Sequence, residues 1–391
     1  MNTQEGVNLL ENKRIAIVGG GPGGLTLARL LQLKGADVTV YERDYSPSTR
    51  VQGATLDLHY ESGLKALDNA GLLDAFKHAY RPGADKGRVV DTQANILYDD
   101  HGKDECNDFD NESFRPEIDR GDLRSLLLAS LQADTVVWDS QLVQISPRLD
   151  AWQLTFKNGT TVVADLVVGA DGAHSKVRPL LTSIQPFYAG TTIVQGNVAD
   201  AATAAPTIHQ LLQGGKLYTH TTGKFLHVSA KGDGSIDFYV SCRVDEDWLQ
   251  TNGIDFADQQ QLRAWLKQEF SGWAPVWFEL FESVSLPLLI RPQYCVPFDQ
   301  SWASQPSITL LGDAAHLMPP SGEGVNLAML DALELSECLT SEQFATTQLA
   351  LAAYEKPMLE RGTEEAKVSM EGVEWMHTES ANDKLVALFN E

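Results

Sequence analysis

The feature that most constrains this chain is its opening strand and glycine turn, RIAIVGGGPGGLTLA at residues 14–28. Residues 15–18 are apolar and, apart from Ala16, β-branched, as in a strand buried on both faces. Gly19, Gly21 and Gly24 follow in G-x-G-x-x-G spacing, and residues 25–33 carry helical periodicity. In such a turn the glycines permit a tight bend, close approach of backbone to a pyrophosphate, and packing of helix on strand. The first amides of the helix have no partner within it and face the diphosphate. A second apolar strand at 37–41 ends at Glu42, eighteen residues after Gly24, where a carboxylate accepts the hydroxyls of an adenosine ribose. A βαβ unit without a ligand would use the glycines for its bend alone. Strand, turn, helix, strand and acid together predict a dinucleotide site.

Composition narrows the partner. The 391 residues carry 53 Asp and Glu against 30 Lys and Arg, a formal net charge of −23. That field repels nucleic acid and anionic membrane surfaces. An anionic dinucleotide must therefore be held by local amides and a few arginines. With 43% apolar and 21% charged residues the chain has an ordinary globular composition, with length for two or three domain-sized units. Cys106, Cys242, Cys295 and Cys338 lie far apart with no C-x-x-C spacing, and the histidines show no ligand pattern. This suits a reducing cytoplasm and predicts no metal. Residues 1–12 lack the apolar core of a signal peptide, and no apolar run reaches membrane-spanning length. The expectation is a cytoplasmic monomer that acts on a small molecule, without nucleic acid or membrane partners.

Periodicity organises the rest. Residues 62–70 and 72–80 read as helices, 89–91 and 95–98 as a short hairpin, and the acid-rich run 99–112 as a solvated loop. An amphipathic helix is predicted over 121–132, and 136–138 reads as a third strand of the opening sheet. Strands over 142–146, 152–156 and 161–165 surround the hairpin signal Asn158-Gly159. The buried strand 166–168 then runs into Gly169-Ala-Asp171-Gly172. From 187 to 297 short alternating stretches predict an antiparallel sheet with one inserted helix at 258–270. A strand at 308–311, the turn Gly312-Asp313 and a helix over 324–339 return to the first unit. The tail from 346 to 389 reads as helical, interrupted at Pro357 and softened near Gly362 and Gly372.

Three separated motifs thus stand in order: Gly19-x-Gly21-x-x-Gly24 with Glu42; Gly169-Ala-Asp171-Gly172 with Ser175 and Arg178; and Gly312-Asp313 with Pro319 and Gly322-Glu323-Gly324-Val325-Asn326. Across almost the whole chain this order resembles the class A flavoprotein monooxygenases, the FAD-dependent aromatic hydroxylases. Within them it is most similar to the tetracycline-inactivating flavin monooxygenases, through Val40-Tyr-Glu-Arg-Asp44, residues 53–59, residues 119–124 and residues 312–320. The resemblance implies an α/β fold. Its parts are a Rossmann-like FAD-binding domain (1–186 and 298–340), an inserted substrate domain on a mainly antiparallel β-sheet (187–297), and a C-terminal helical segment (341–391) bridging the two. It implies FAD as cofactor, NADPH as transient reductant and O2 as co-substrate, with a flavin C4a-hydroperoxide delivering hydroxyl to an electron-rich carbon. Besides the glycines and Glu42, it assigns Arg43 to the adenosine, Arg50 to the nicotinamide cofactor, and Asp57, Arg120, Arg124 and Asp171 to the cofactors, Asp171 being equally well explained as a turn residue. Asp313 goes to the ribityl chain and residues 324–326 to the flavin ring. His316 reads as a satisfied loop histidine, and no protein side chain is assigned as catalytic because the flavin carries the chemistry.

The resemblance places Gln195, Lys216, His227, Asp237, Pro320, Gly322 and Met376 around the substrate. Three positions depart from the tetracycline subgroup. Lys216 stands where it has arginine, keeping charge but losing the bidentate fork. Asp237 stands where it has histidine, and Glu323 replaces the glutamine of Gly-Gln-Gly. Tyr218, Phe225, Phe238, Tyr239 and Trp375 are candidates for a pocket wall or for plain core. The expected function is NADPH-consuming hydroxylation of a tetracycline-type fused ring that inactivates the antibiotic. The alternatives are hydroxylation of another aromatic or polyketide compound, and a non-catalytic flavin-binding or drug-sequestering protein. A flavin halogenase is excluded by the absence of W-x-W-x-I-P.

Overall fold

The structure, a computed structural model, describes residues 8–49, 54–103 and 107–390. Strand β1 (Arg14–Val18) leads through the glycine turn into α1 (Pro22–Leu33) and β2 (Asp37–Tyr41). Next come β3 (Thr55–Asp57), β4 (Gly87–Val90), β5 (Ile96–Asp99), β6 (Glu117–Asp119) and helix α2 (Arg120–Ala129). Strands β7 (Val136–Val137), β8 (Leu142–Arg148), β9 (Ala151–Phe156), β10 (Thr161–Ala164) and β11 (Leu166–Gly169) follow. Then come β12 (Phe187–Val198), β13 (Lys216–Thr221), β14 (Lys224–Ala230), β15 (Ile236–Arg243) and helix α3 (Gln259–Glu269). After them lie β16 (Ser285–Cys295), β17 (Ile308–Leu310) and helices α4 (Gly324–Thr340), α5 (Thr347–Met376) and α6 (Ala381–Asn390).

These elements make the mixed α/β architecture that the sequence predicts, ending in helices. A five-stranded sheet in the order β17–β11–β1–β2–β7 is parallel throughout. Val18 lies opposite both Gly169 and Tyr41, and Gly169 lies opposite Leu310. The turns after β1, β11 and β17, and Glu42 after β2, therefore emerge along one edge. The apolar runs in β1 and β11 are fully buried, because α1 packs on this sheet and the antiparallel three-stranded sheet β10–β9–β8 packs against it as well, with Leu154, Phe156 and Ala164 in the same core.

A seven-stranded sheet has the order β16–β12–β15–β14–β13–β4–β5. Its alternation separates two faces. Leu217, Leu226, Val228, Phe238 and Val240 point into a core, while Lys216, Tyr218, His227, Asp237, Tyr239 and Gln195 share the other face. Cross-strand register lines up Gln195, Tyr239, His227 and Tyr218 in one row across four strands. Helices α5 and α6 pack against this sheet near that row.

Three local expectations need correction. The predicted hairpin at 89–98 forms, but it extends the large sheet, β4 pairing in parallel with β13. The region 187–297 holds more helix than the one predicted, with helical turns at Ala201–Ala204, Pro206–Leu212, Trp248–Thr251 and Phe278–Ser283. Pro206 starts its helix at a position where no amide is needed, and Ile208 and Leu212 anchor it in the core. The tail is not interrupted at Pro357, since α5 runs unbroken from Thr347 to Met376. Pro357 lies on the exposed side, where water can satisfy the carbonyl it leaves free. The opposite side is pinned by Tyr354, whose hydroxyl donates to the Leu310 carbonyl at 2.9 Å, and by Glu355, which accepts from Thr309 at 2.7 Å.

Gly362 does not soften this helix. A Cβ there would lie 2.6 Å from His316 Cβ, so the glycine is what lets α5 sit on the turn after β17. At Gly372 a Cβ would meet only the Met376 methyl, at 3.1 Å. Overpacking costs about 1–3 kcal/mol, against about 1 kcal/mol gained when alanine replaces a helical glycine. Gly362→Ala should therefore lower the denaturant midpoint, and Gly372→Ala should leave it equal or raise it. Equal midpoints for the two variants in equilibrium unfolding would contradict this packing.

Candidate active site

The glycine turn is built around backbone crowding. Gly19 has φ +113°, and a Cβ there would sit 2.2 Å from the Ala170 carbonyl oxygen. A Cβ at Gly24 would sit 2.2 Å from the Gly19 carbonyl oxygen. Gly21 differs, because nothing lies within 4 Å of the place its Cβ would take. It is the N-cap residue of α1, and no side chain caps that helix. Free first-turn amides beside an open backbone form a cradle suited to a diphosphate. Glu42 closes one side, accepting from Gly20 N at 2.7 Å and Asp44 N at 2.9 Å. Arg43 is exposed beside it. Arg124 is buried, donates to Asp44 at 3.2 Å and lies over the Trp138 ring. Arg50 lies outside the described residues.

The second turn is held by its own aspartate. Asp171 accepts from Lys176 N at 2.7 Å, and burial pushes its carboxyl upward. Arg178 fastens this turn to the third, donating to the Ala315 carbonyl at 2.8 Å and to Gln300 at 2.7 Å. In the third turn Gly312 has φ +59°, and Asp331 in α4 accepts from its amide at 2.9 Å. The same carboxylate meets His316 Nε2 at 2.6 Å and Arg361 at 2.9 Å. Burial alone would lower the His316 pKa, but Asp331 and Asp313 outweigh it and hold the imidazolium. His316 is thus a buried structural histidine, as expected.

Asp313 opens onto the cleft and faces Arg120, the first residue of α2. The Arg120 side chain makes no hydrogen bond to any described residue and is surrounded by the charges of Asp313, Asp237 and Arg291. Its free donors, the open Gly21 and the uncapped start of α4 are the features an anionic, polar cofactor would need. They fit FAD. Asn326 fixes the start of α4, accepting from His59 N at 2.9 Å and donating to the Asp57 carbonyl at 3.0 Å. Gly324 leaves open space at its Cβ position, and Val325 is half-buried beside it.

Across the cleft, Gln195 donates to both oxygens of Asp237 at 2.9 Å and accepts from Arg291. Burial pushes Asp237 up to about 6, against the pull of Gln195, Lys231 and the nearby arginines. Lys216 is tied to buried Glu117 rather than free; Glu117, Asp57 and Tyr218 outweigh burial and keep its ammonium charged. His227 is buried between the rings of Tyr218 and Tyr239, and desolvation holds it neutral. Phe225, Tyr239, Pro319, Pro320, Val373 and Met376 line a cavity between this sheet and the end of α5. Gly322, with φ +93°, lies two residues beyond Pro320. Phe238 points into the core instead, and Trp375 packs near His220.

Sequence reasoning missed Glu117, Arg291, Asp331 and Arg361. Asp331 carries a signal, being an acid inside the apolar run LAMLDAL of a helix. Arg291 and Glu117 become visible only when strands are paired. The raised Asp237 carboxyl has a measurable consequence. Its acid form is favoured by the fold, so a stability cost builds as pH rises from the ordinary carboxyl value of 3.8 through about 6, is complete above that, and is absent below 3.8. Asp237→Asn should raise the melting temperature clearly at pH 8 and by a much smaller amount at pH 4. A drop at both pH values would contradict the environment described.

Comparisons with known proteins agree with this geometry. A family model described as FAD binding domain matches residues 12–364. The chain is 27% identical to the monooxygenase asqM of Emericella nidulans, over 96% of this chain and 98% of that protein. Its fold is similar to that of Klebsiella pneumoniae HpxO complexed with FAD and uric acid, with TM-score 0.75 and 22% identity over 95% of this chain and 90% of that one. It is also similar to the tetracycline destructase Tet(51), with TM-score 0.71 and 18% identity over 97% and 93% of the two chains.

Proposed function

This chain belongs to the FAD-binding family of flavoprotein monooxygenases, and we propose that it uses NADPH and O2 to hydroxylate a flat aromatic or polyketide ring. One observation carries the reading. Three turns with free or glycine-lined backbone stand at the carboxyl ends of neighbouring parallel strands, and the third meets the polar side of a second sheet, with Arg120 near both Asp313 and Asp237 and Pro319 and Pro320 lining a cavity with Tyr239. Ligands of open α/β sheets bind at such strand ends. In this reading residues 1–186 and 298–340 hold the cofactor, 187–297 supply most of the substrate face, and 341–391 bridge them.

The roles follow from chemistry. Gly19, Gly21, Gly24 and the first amides of α1 hold the diphosphate, with Glu42 on the adenosine ribose and Arg43 and Arg124 nearby. Asp313 takes the ribityl hydroxyls and Arg120 supplies a cation beside them, while Asp57 and Asp171 border the site and Arg50 serves the nicotinamide cofactor. The start of α4, residues 324–326, turns its positive end to the ring, an effect of about 0.3–1 kcal/mol on a nearby anion. FAD held there would supply the redox chemistry of a monooxygenase, in which NADPH, a proton and O2 are consumed, one oxygen atom entering the substrate and the other leaving as water. The apolar wall of Phe225, Tyr239, Pro320 and Met376 clasps a planar ring and excludes water. Gln195 orients the ring, and Asp237, ionised above about pH 6, accepts a proton from a substrate hydroxyl.

A tetracycline-type substrate is a second reading. It is favoured by Gln195 on the cleft face and by the fold likeness to Tet(51). Lys216 weighs against it, since its ammonium is committed to Glu117. Purified protein mixed with NADPH, isotopically labelled O2, and either tetracyclines or smaller hydroxylated aromatics tests both readings. The expected outcome is faster NADPH oxidation and a product carrying one labelled oxygen. Labelling of the smaller aromatics alone would remove tetracycline. Hydrogen peroxide as the sole product with every compound would remove the ring hydroxylation proposed here.

A further inference from the structure

His59 lies just after β3, between two carboxylates from distant parts of the chain. Its Nε2 is 2.9 Å from Asp57 Oδ2, and its Nδ1 is 3.2 Å from Glu323 Oε2. Glu323 is the N-cap residue of α4 and makes no capping bond. The turn that opens α4 is therefore tied from outside, by Glu323 to His59 and by Asn326 to the backbone of Asp57 and His59. Other charges face the cluster. Glu365 of α5 feels both Glu323 and His59, Arg115 Nη1 lies 3.3 Å from His59 Nε2, and Lys216 lies beyond Asp57. Burial works against the imidazolium, yet the bonds to Asp57 and Glu323 lift the ring to about 9. Its contribution is complete below the ordinary value of 6.5 and is lost as pH rises through about 9.

We propose that His59 is a positioning residue: as an imidazolium it staples Glu323 to Asp57 and so fixes the first turn of α4, whose free amides face the flavin ring. The proposal rests on the placement of FAD against residues 324–326 given above. It accounts for a carboxylate at position 323, beside a ring that gains negative charge on reduction. Without His59, Asp57 and Glu323 would repel each other and the turn would open toward solvent. With it, one of the two charges is offset and both acids are held in place.

FAD binding to the apoprotein, read by quenching of flavin fluorescence from about pH 6 to pH 10, tests this in wild type, His59→Gln, Glu323→Gln and the double variant. The wild-type Kd should be flat to about pH 8 and then weaken about tenfold, the size expected for loss of a charge-assisted contact. His59→Gln should be weakened by a similar factor at pH 7 and lose the alkaline break, a signature that a purely structural role would not give. Glu323→Gln, which keeps the shape of the side chain, should move the break to lower pH. The double variant should bind no more weakly than His59→Gln. A wild-type Kd without an alkaline break, a break that persists in His59→Gln, or effects that multiply in the double variant would overturn the staple. A wild-type chain that takes up no FAD at any pH would overturn the cofactor placement along with it.

Discussion

Parallel pairing of β17, β11, β1 and β2 is the constraint from which the rest of the molecule follows. Parallel strands in register end together, so glycine motifs far apart in sequence open along one edge. The crossing points there are so crowded that Gly19 and Gly24 meet backbone where a Cβ would stand, while Gly21 meets nothing. Crowding on one side of the turn and open space on the other define where a cofactor backbone can pass. At the third turn this edge meets the polar side of the seven-stranded sheet, which brings a prospective flavin ring and a prospective substrate together.

Charge is managed locally in a chain whose overall field is strongly negative. Asp331 gathers Gly312 N, His316 and Arg361 into one buried network, and this network seats the third turn on α4 and α5. Removing one member of such a network strands the others in low dielectric. Its geometry therefore bears on Asp313 and the cleft as much as on stability. Arg120 stands apart, a cation whose side chain has no hydrogen-bonding partner among the described residues, between Asp313 of the third turn and Asp237 and Arg291 of the second sheet. The contrast separates charges that hold the fold from a charge available to a ligand.

Much of the cofactor side was legible in the sequence, because its determinants are local. A strand, a turn with fixed glycine spacing and a helix are read from adjacent residues, and β1, α1, β2 and the turns after β11 and β17 form where the patterns predict. The substrate side was less legible, because its determinants are pairings. Gln195, Asp237 and Arg291 become one hydrogen-bonded set only through the register of β12 with β15 and β16. Lys216 reads as an available cation until Glu117, from a strand about a hundred residues away, is placed against it. Pro357 and Gly362 mislead for a related reason. Local propensity argues for a break, and packing against the turn after β17 overrides it.

The central claim is that one cofactor spans the cleft from the first glycine turn to the start of α4. Hydrogen–deuterium exchange of the purified protein with and without FAD tests it most directly. FAD should slow amide exchange in two separate segments at once, residues 19–25 and residues 322–328, with the exposed loop at 107–113 unaffected. Protection confined to the first turn would contradict the account, because it would leave the start of α4 without the flavin ring assigned to it.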